Sequence, residues 1–403
     1  MQTETQSIYR ITSKAPHIVS LMLLSAFAAM GAIIMTPALP AIADFFGRSV
    51  GATQLAVTSF LLGYALGQLI YGPIANRYGR KHALYIGISI ATVGSLFSIL
   101  SSHADSFSLL ILGRFLEAIG SSAGFAISFA MINDFYFEEH AKKMTGLLML
   151  AFAIVPGVAT AVGGMLVQYL GWRACFYFLF IYGLILLIPT YRLPETLTQK
   201  DVDATKIKNI FFNYAEKFLN KKLVGFACIS GFSSACIYVF GAEGPFIGIH
   251  ILHTKPALYG ILSLTPFIGT FIGSLMVVKL SKINSIILMK VAFLIELFST
   301  LVLFFLFIFH FVSLTALLIP MGIFCIAHPI IGGCALPLSM MQSSDKANAS
   351  AVMSFLACAM PVLMTFLMSA LHVNTAWIMP VIFLIALFLM NCTYRWISNR
   401  SGS

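Results

Sequence analysis

The stretch Gly72-Pro73-Ile74-Ala75-Asn76-Arg77-Tyr78-Gly79-Arg80-Lys81 stands between two apolar runs, near 52–74 and 83–101. Each run is long enough to cross a bilayer core of about 30 Å, which takes about 20 residues at about 1.5 Å per residue. Glycines here permit close helix packing and a sharp turn, and the arginines can hold neighbouring helix C-termini and acidic groups. The stretch therefore predicts a tight, basic turn joining two membrane-spanning helices.

The pattern continues outward from that turn. Of the 403 residues, 59% are hydrophobic and only 9% charged, with a mean hydropathy of +0.94, against about 25% charged residues in soluble domains. Spanning runs lie near 17–40, 52–74, 83–101, 107–133, 145–170 and 172–191, then near 223–243, 256–279, 286–310, 313–341, 347–371 and 375–396. Twelve spans use about 240 residues, which leaves no room for a separate soluble catalytic domain. The fold class expected is an all-α membrane protein of twelve transmembrane helices. The longest polar stretch carries Asp201, Asp203, Lys206, Lys208, Glu216, Lys217, Lys221 and Lys222. It divides the chain into an N-terminal six-helix bundle (1–197), a linker (198–222) and a C-terminal six-helix bundle (223–403), two repeats that would hold substrate between them near the midplane.

With an even number of spans both termini share one side. Of the 24 Lys and Arg residues, 20 fall on that side, including Arg10, Lys14 and Arg400; three, Arg48, Arg173 and Lys255, fall on the other, and Arg114 lies within a span. The positive-inside rule makes the terminal side cytoplasmic. The net charge of +10 thus reads as an orientation signal, and no nucleic-acid partner is expected. Arg10 and Lys14 precede an apolar run that superficially resembles a secretory signal, but it continues past Pro37 and Pro40 without a small-residue cleavage site and reads as the first span. The seven cysteines, odd in number and without a CxxC, read as small core residues rather than metal ligands or a disulfide framework.

Ionisable groups inside spans cost about 2.5–3.5 kcal/mol at the bilayer centre and need a partner or a wet cavity. Four qualify: Arg114, Glu117, Glu296 and His328. Glu117 lies about 15 Å into the fourth span, with Arg114 three residues earlier on the same helical face. Two readings stand side by side. Glu117 binds a proton when dehydrated and ionises when a cation or Arg114 compensates it, or the two form a permanent pair that shapes a substrate site or orients the span. Glu296 lies about 15 Å into the ninth span, where a structural partner role and a coupling role both stand open. His328 reads as a helix histidine bonded to neighbouring backbone, with proton shuttling as the alternative. Glu243, about 30 Å along the seventh span, is expected at the outer surface. His250 and His253 lack a third ligand in the sequence, and no metal site is expected. There is no GxSxG, Walker loop, HExxH or Gly-rich nucleotide fingerprint, so no cofactor and no enzyme activity are expected, and transport would draw on an ion or substrate gradient.

The opening stretch, with its glycines Gly72 and Gly79 and its cluster Arg77, Arg80 and Lys81, resembles the signature of the major facilitator superfamily between spans two and three. Asn76 stands where the family usually has an aspartate; the amide can cap but cannot form a charged latch. Gly273 with Lys279 and Lys282 is a weak second-half echo, equally readable as an ordinary basic loop. Further stretches are similar to the twelve-span drug:proton antiporter branch, especially its bicyclomycin-resistance type: the proline pair of Pro37-Ala38-Leu39-Pro40, Gly113-Arg114-Phe115-Leu116-Glu117-Ala118-Ile119-Gly120, Pro156 with Gly163-Gly164, Gly171-Trp172-Arg173 with Phe176, Leu193-Pro194-Glu195-Thr196-Leu197, Pro245-Phe246, and Lys346-Ala347-Asn348-Ala349-Ser350-Ala351. Two positions depart from the branch: Ile33 replaces the acid that many relatives carry in span one, and Thr160 replaces the second proline of the span-five motif.

The resemblance implies a secondary active transporter, multidrug-type, which exports amphiphilic small molecules by alternating access. Protons would be the coupling ion, the lipid bilayer its environment, the bacterial inner membrane its location and the monomer its working unit. Arg114 and Glu117 would shape the central site; Gly72, Asn76, Arg77, Gly79, Arg80 and Lys81 would form a cytoplasmic gate; Pro156, Gly163 and Gly164 would let span five bend and pack closely. Alternatives are a dedicated exporter of one metabolite such as a siderophore, an importer on the same fold, and, from another class, an intramembrane enzyme or lipid-translocating protein.

Overall fold

A computed structural model describes residues 15–136, 138–343, 345–371 and 375–398. Arg10, Lys14 and Arg400, counted above as terminal-side charges, lie outside the described residues. The described chain is helical, with no strand, as a bilayer requires of a chain that must satisfy every backbone group internally. Eleven elements are long and apolar enough to span. They are spans one to four, Ile18–Phe46, Val50–Tyr78, Arg80–Ser101 and Phe107–Phe135; span six, Arg173–Arg192; and spans seven to twelve, Lys221–Ile251, Pro256–Lys279, Ser285–Ile308, Leu314–Met340, Asn348–Leu371 and Ile378–Ser398. Span five is the helix Glu138–Leu170, whose described apolar part is Ile154–Leu170.

The expected spans all form, and the ends differ for local reasons. Span two starts at the N-cap Ser49, whose hydroxyl accepts from Ala52 N–H at 3.2 Å. Ser106 and Ser313 cap spans four and ten in the same way. Span one is interrupted: Ile18–Ile33 ends, a 3₁₀ turn covers Thr36–Ala38, and helix resumes at Leu39–Phe46. Pro37 and Pro40 have no N–H to donate and stand in the first turns of the 3₁₀ segment and of the helix that restarts, where the missing bonds coincide with the break. Sequence reading did not anticipate the helix Ile207–Leu219 inside the polar linker. The charges there masked a shorter apolar period, in which Tyr214 is buried and donates to the Leu69 carbonyl of span two at 2.9 Å.

Span four is the hub of the first six, packed on spans one, two and three, while span seven packs on spans ten, eleven and twelve. Two seams join the helices before residue 193 to those after residue 220: span two lies on span eleven, and span five on span eight. Here "terminal side" means the membrane face carrying the chain ends, and "far side" the other.

Candidate functional site

The turn between spans two and three is built on Gly79, at φ +105°, a backbone conformation closed to most other residues. A Cβ there would also strike the Glu195 carboxylate. Glu195 accepts from the N–H groups of Arg80 at 2.9 Å and Lys81 at 3.1 Å, so a carboxylate caps the positive end of span three. The Arg80 guanidinium donates to Asp134 at 2.9 Å and to the Asn76 side-chain oxygen at 2.7 Å. Lys81 donates to the Tyr191 carbonyl at the end of span six at 2.6 Å. Arg77 donates to the Thr205 hydroxyl of the linker. Asn76 thus acts as the neutral partner expected of an amide, while the charged contact comes from Asp134, at the end of span four. Glu195 was legible as part of a motif; Asp134 carried no signal beyond being an acid near a span end. Gly72 has open space where a Cβ would stand.

Arg80 and Asp134 are 11% and 24% exposed, and a charge-assisted bond of this kind contributes about 1.5–3 kcal/mol. If the bond forms in one transport state only, losing even about 1.4 kcal/mol shifts a rate tenfold. We expect Arg80→Ala to lower turnover in reconstituted vesicles about tenfold with little change in apparent substrate affinity. An unchanged turnover number would remove the turn from the gate.

Arg114 and Glu117 are wholly buried. One terminal guanidinium nitrogen donates to both Glu117 oxygens at 3.0 Å, the other terminal nitrogen to the Gly31 carbonyl of span one at 2.8 Å. The guanidinium also stands 4.2 Å from the Phe60 ring centroid of span two, a cation–π contact. A Cβ at Gly31 would come within 2.8 Å of Glu117 Oε1, so this glycine makes room for the carboxylate. The pair ties spans one, two and four together and does not line the central cavity.

That cavity, about 350 Å³, lies between the two sets of helices. From spans one and five it receives apolar groups, Ala29, Ala32, Ile33 and Pro156; all its polar groups, among them Tyr238, Thr270, Ser274 and His328, come from spans seven, eight and ten. His328 is bonded to a side chain rather than to neighbouring backbone: its Nδ1 lies 2.8 Å from the Ser233 hydroxyl of span seven. The same hydroxyl donates to Glu296 Oε1. Glu296 and His328, separate candidates in the sequence, are therefore joined through Ser233, which no sequence signal singled out. Glu243 is also placed differently from the expectation. It is 3% exposed and accepts from the Gln54 side-chain amide of span two, because spans two and seven close over it on the far side.

On the same side, Ser369 of span eleven donates to the Gly51 carbonyl at 2.6 Å, and Ala257 N–H donates to the Gln168 side chain at 3.0 Å. In span five, a Cβ on Gly163 would strike the Ile34 carbonyl beside the break in span one, and one on Gly164 the Pro256 carbonyl of span eight. Thr160 returns its hydroxyl to the Pro156 carbonyl at 2.9 Å. Gly273 similarly approaches the Ile326 carbonyl of span ten.

Among known proteins, an uncharacterized transporter of Rickettsia felis is 30% identical over 252 residues, 61% of each chain. A bicyclomycin resistance protein homolog of Haemophilus influenzae is 26% identical over 65% of this chain and 66% of its own. The alignment thus spans 61% of the length of the Rickettsia relative. A crystal structure of a D-xylose-proton symporter superposes with a TM-score of 0.75 over 95% of this chain and 97% of its own, at 15% identity, a likeness of fold. The profile of the Major Facilitator Superfamily matches residues 21–359, and with the helical architecture above the chain belongs to that superfamily of membrane transporters.

Proposed function

We propose that the chain is an alternating-access, proton-coupled exporter of amphiphilic small molecules. The observation that carries this is the two-faced cavity, apolar on the side of spans one and five and hydroxyl- and imidazole-bearing on the side of spans seven, eight and ten. Such a wall suits a ligand with an apolar body and a polar end. The name of the Haemophilus relative, a bicyclomycin resistance protein homolog, supports drug-like substrates. Far-side closure by Gln54 with Glu243, Ser369 with Gly51 and Gly164 against span eight supports a state shut on that face. Residues 1–197 and 223–403 act as the two moving bundles and 198–222 as their linker. The excess of basic residues on the terminal side supports cytoplasmic termini, and the monomer is the proposed working unit. The turn of Asn76, Arg77, Arg80 and Lys81 gates the terminal side. Arg114 and Glu117 brace spans one, two and four around the cavity.

Inverted membrane vesicles test this. With a pH-sensitive dye inside, cationic, neutral and anionic amphiphiles are added in turn, and at least one is expected to release protons from energised vesicles. Silence across the whole panel would overturn the exporter reading.

A further inference from the structure

We propose that Glu296, Ser233 and His328 form the site that takes up and releases the coupling proton, with His328 as its contact with the cavity and Glu296 as its buried end. The inference rests on the reading of proton-coupled transport and gives that reading a location.

The three side chains come from spans nine, seven and ten and meet near mid-membrane. Ser233, Glu296 and His328 lie about 18, 16 and 21 Å along their helices at 1.5 Å per residue. Ser233 and Glu296 are fully buried, whereas His328 lines the cavity. Each link is within hydrogen-bond reach: His328 Nδ1 is 2.8 Å from Ser233 Oγ, and Ser233 Oγ–H donates to Glu296 Oε1. The remaining carboxylate oxygen, Oε2, is buried without a hydrogen-bond partner. A buried polar atom left this way is costly and uncommon, and here it leaves the carboxylate incompletely satisfied while the imidazole faces the transport path.

The geometry moves one proton in a balanced way. An imidazolium at His328 gives its Nδ1 proton to Ser233 Oγ while that hydroxyl passes its own proton to Glu296. The products are a neutral imidazole and a neutral carboxylic acid; the reverse transfer restores the ions, and no atom is gained or lost. A cationic or hydrogen-bond-donating substrate in the cavity would meet either a charged or a neutral His328. Its binding is thereby linked to the protonation of a group it need not touch.

The charged pair at similar depth, Arg114 with Glu117, is bonded to Gly31 of span one and does not line the cavity. Cys236 of span seven and Cys325 of span ten are the titratable groups within reach of Glu296. Tyr238 shares the cavity wall with His328, and Cys358 of span eleven stands near Tyr238. On span nine, Lys290 is six residues toward the terminal side, 5.6 Å from the Tyr394 ring centroid of span twelve. Span one faces the site with Ala29, Ala32 and Ile33.

Two measurements on the full chain in lipid nanodiscs and vesicles test the site. Acid–base infrared difference spectra of the substrate-free protein are expected to contain a carboxylic acid carbonyl band that disappears in Glu296→Gln. Its titration midpoint should move by about one pH unit, tenfold in proton concentration, in Ser233→Ala and in His328→Gln. In vesicles, with a compound that the wild type exports, the three variants are expected to lose uphill export while retaining downhill exchange. The isosteric Glu296→Gln and small Ser233→Ala changes are checked for folding by thermal unfolding. A spectrum unchanged in Glu296→Gln, or uphill export at the wild-type rate in all three variants, would overturn the proposal. If the wild type exports no compound, the exporter reading fails, and the infrared midpoint alone still decides for or against the site.

Discussion

Arg114→Met is expected to lower the stability of the protein by about 3–5 kcal/mol, the typical cost of leaving one member of a buried ion pair alone. Glu117 would be left as a fully buried carboxylate with neither of its 3.0 Å bonds, and the ties to Gly31 and Phe60 would go as well. For a bundle of this size the unfolding midpoint should fall by about 10 °C. The double variant Arg114→Met/Glu117→Leu is expected to recover most of that loss, because an apolar pair of similar volume removes the stranded charge. Thermal unfolding in nanodiscs checks both. Equal midpoints for single and double variants would show that the pair does not brace the helices. The double variant also separates the two readings of Glu117: uphill export by a restored protein assigns the pair a bracing role, whereas restored stability without export would give Glu117 the coupling role.

Gly164→Val should reduce export by about a hundredfold. The far-side seam brings Gly164 against the Pro256 carbonyl, with Gly260 Cα next to it, so any side chain must push span eight away from span five. Overpacking typically costs about 1–3 kcal/mol, and the upper end corresponds to about a hundredfold change in the population of the closed state. Spin labels at the exposed positions Tyr169 and Leu258, in a cysteine-free background, would report the seam directly. We expect the short-distance population of the parent to shift to longer distances in the variant. An unchanged distribution with normal export would mean that this seam does not have to close.

Much of the architecture was legible in the sequence because a bilayer constrains it so tightly. Long apolar runs between polar turns could only be helices, whereas the break in span one escaped, because the apolar run continues through Pro37 and Pro40 and hydropathy alone carries the span past them. Arg114 and Glu117 were readable as a pair because a separation of three residues on a helix puts two side chains on one face. The contacts that escaped are those between distant spans. Ser233 is 63 residues from Glu296 and 95 from His328, and no local period encodes their meeting. Counting residues along span seven gave the position of Glu243 along the helix but not its enclosure, which depends on Gln54, 189 residues away in sequence. In the linker, nine charged residues concealed the spacing that buries Tyr214 against span two.

The linker bears on how the two bundles communicate. Its backbone N–H at Asp201 donates to the Asn76 carbonyl at 3.0 Å, Thr205 accepts from Arg77, and Tyr214 reaches Leu69. These three ties fasten it along the last turns of span two. Rather than hanging as a slack tether, this segment is fastened to the span that carries the turn, so in the proposed alternating-access motion a rotation parting the bundles on the terminal side is expected to pull first on the residues of the turn. The connection between the repeats and the gate at their mouth would then respond to a single mechanical coordinate.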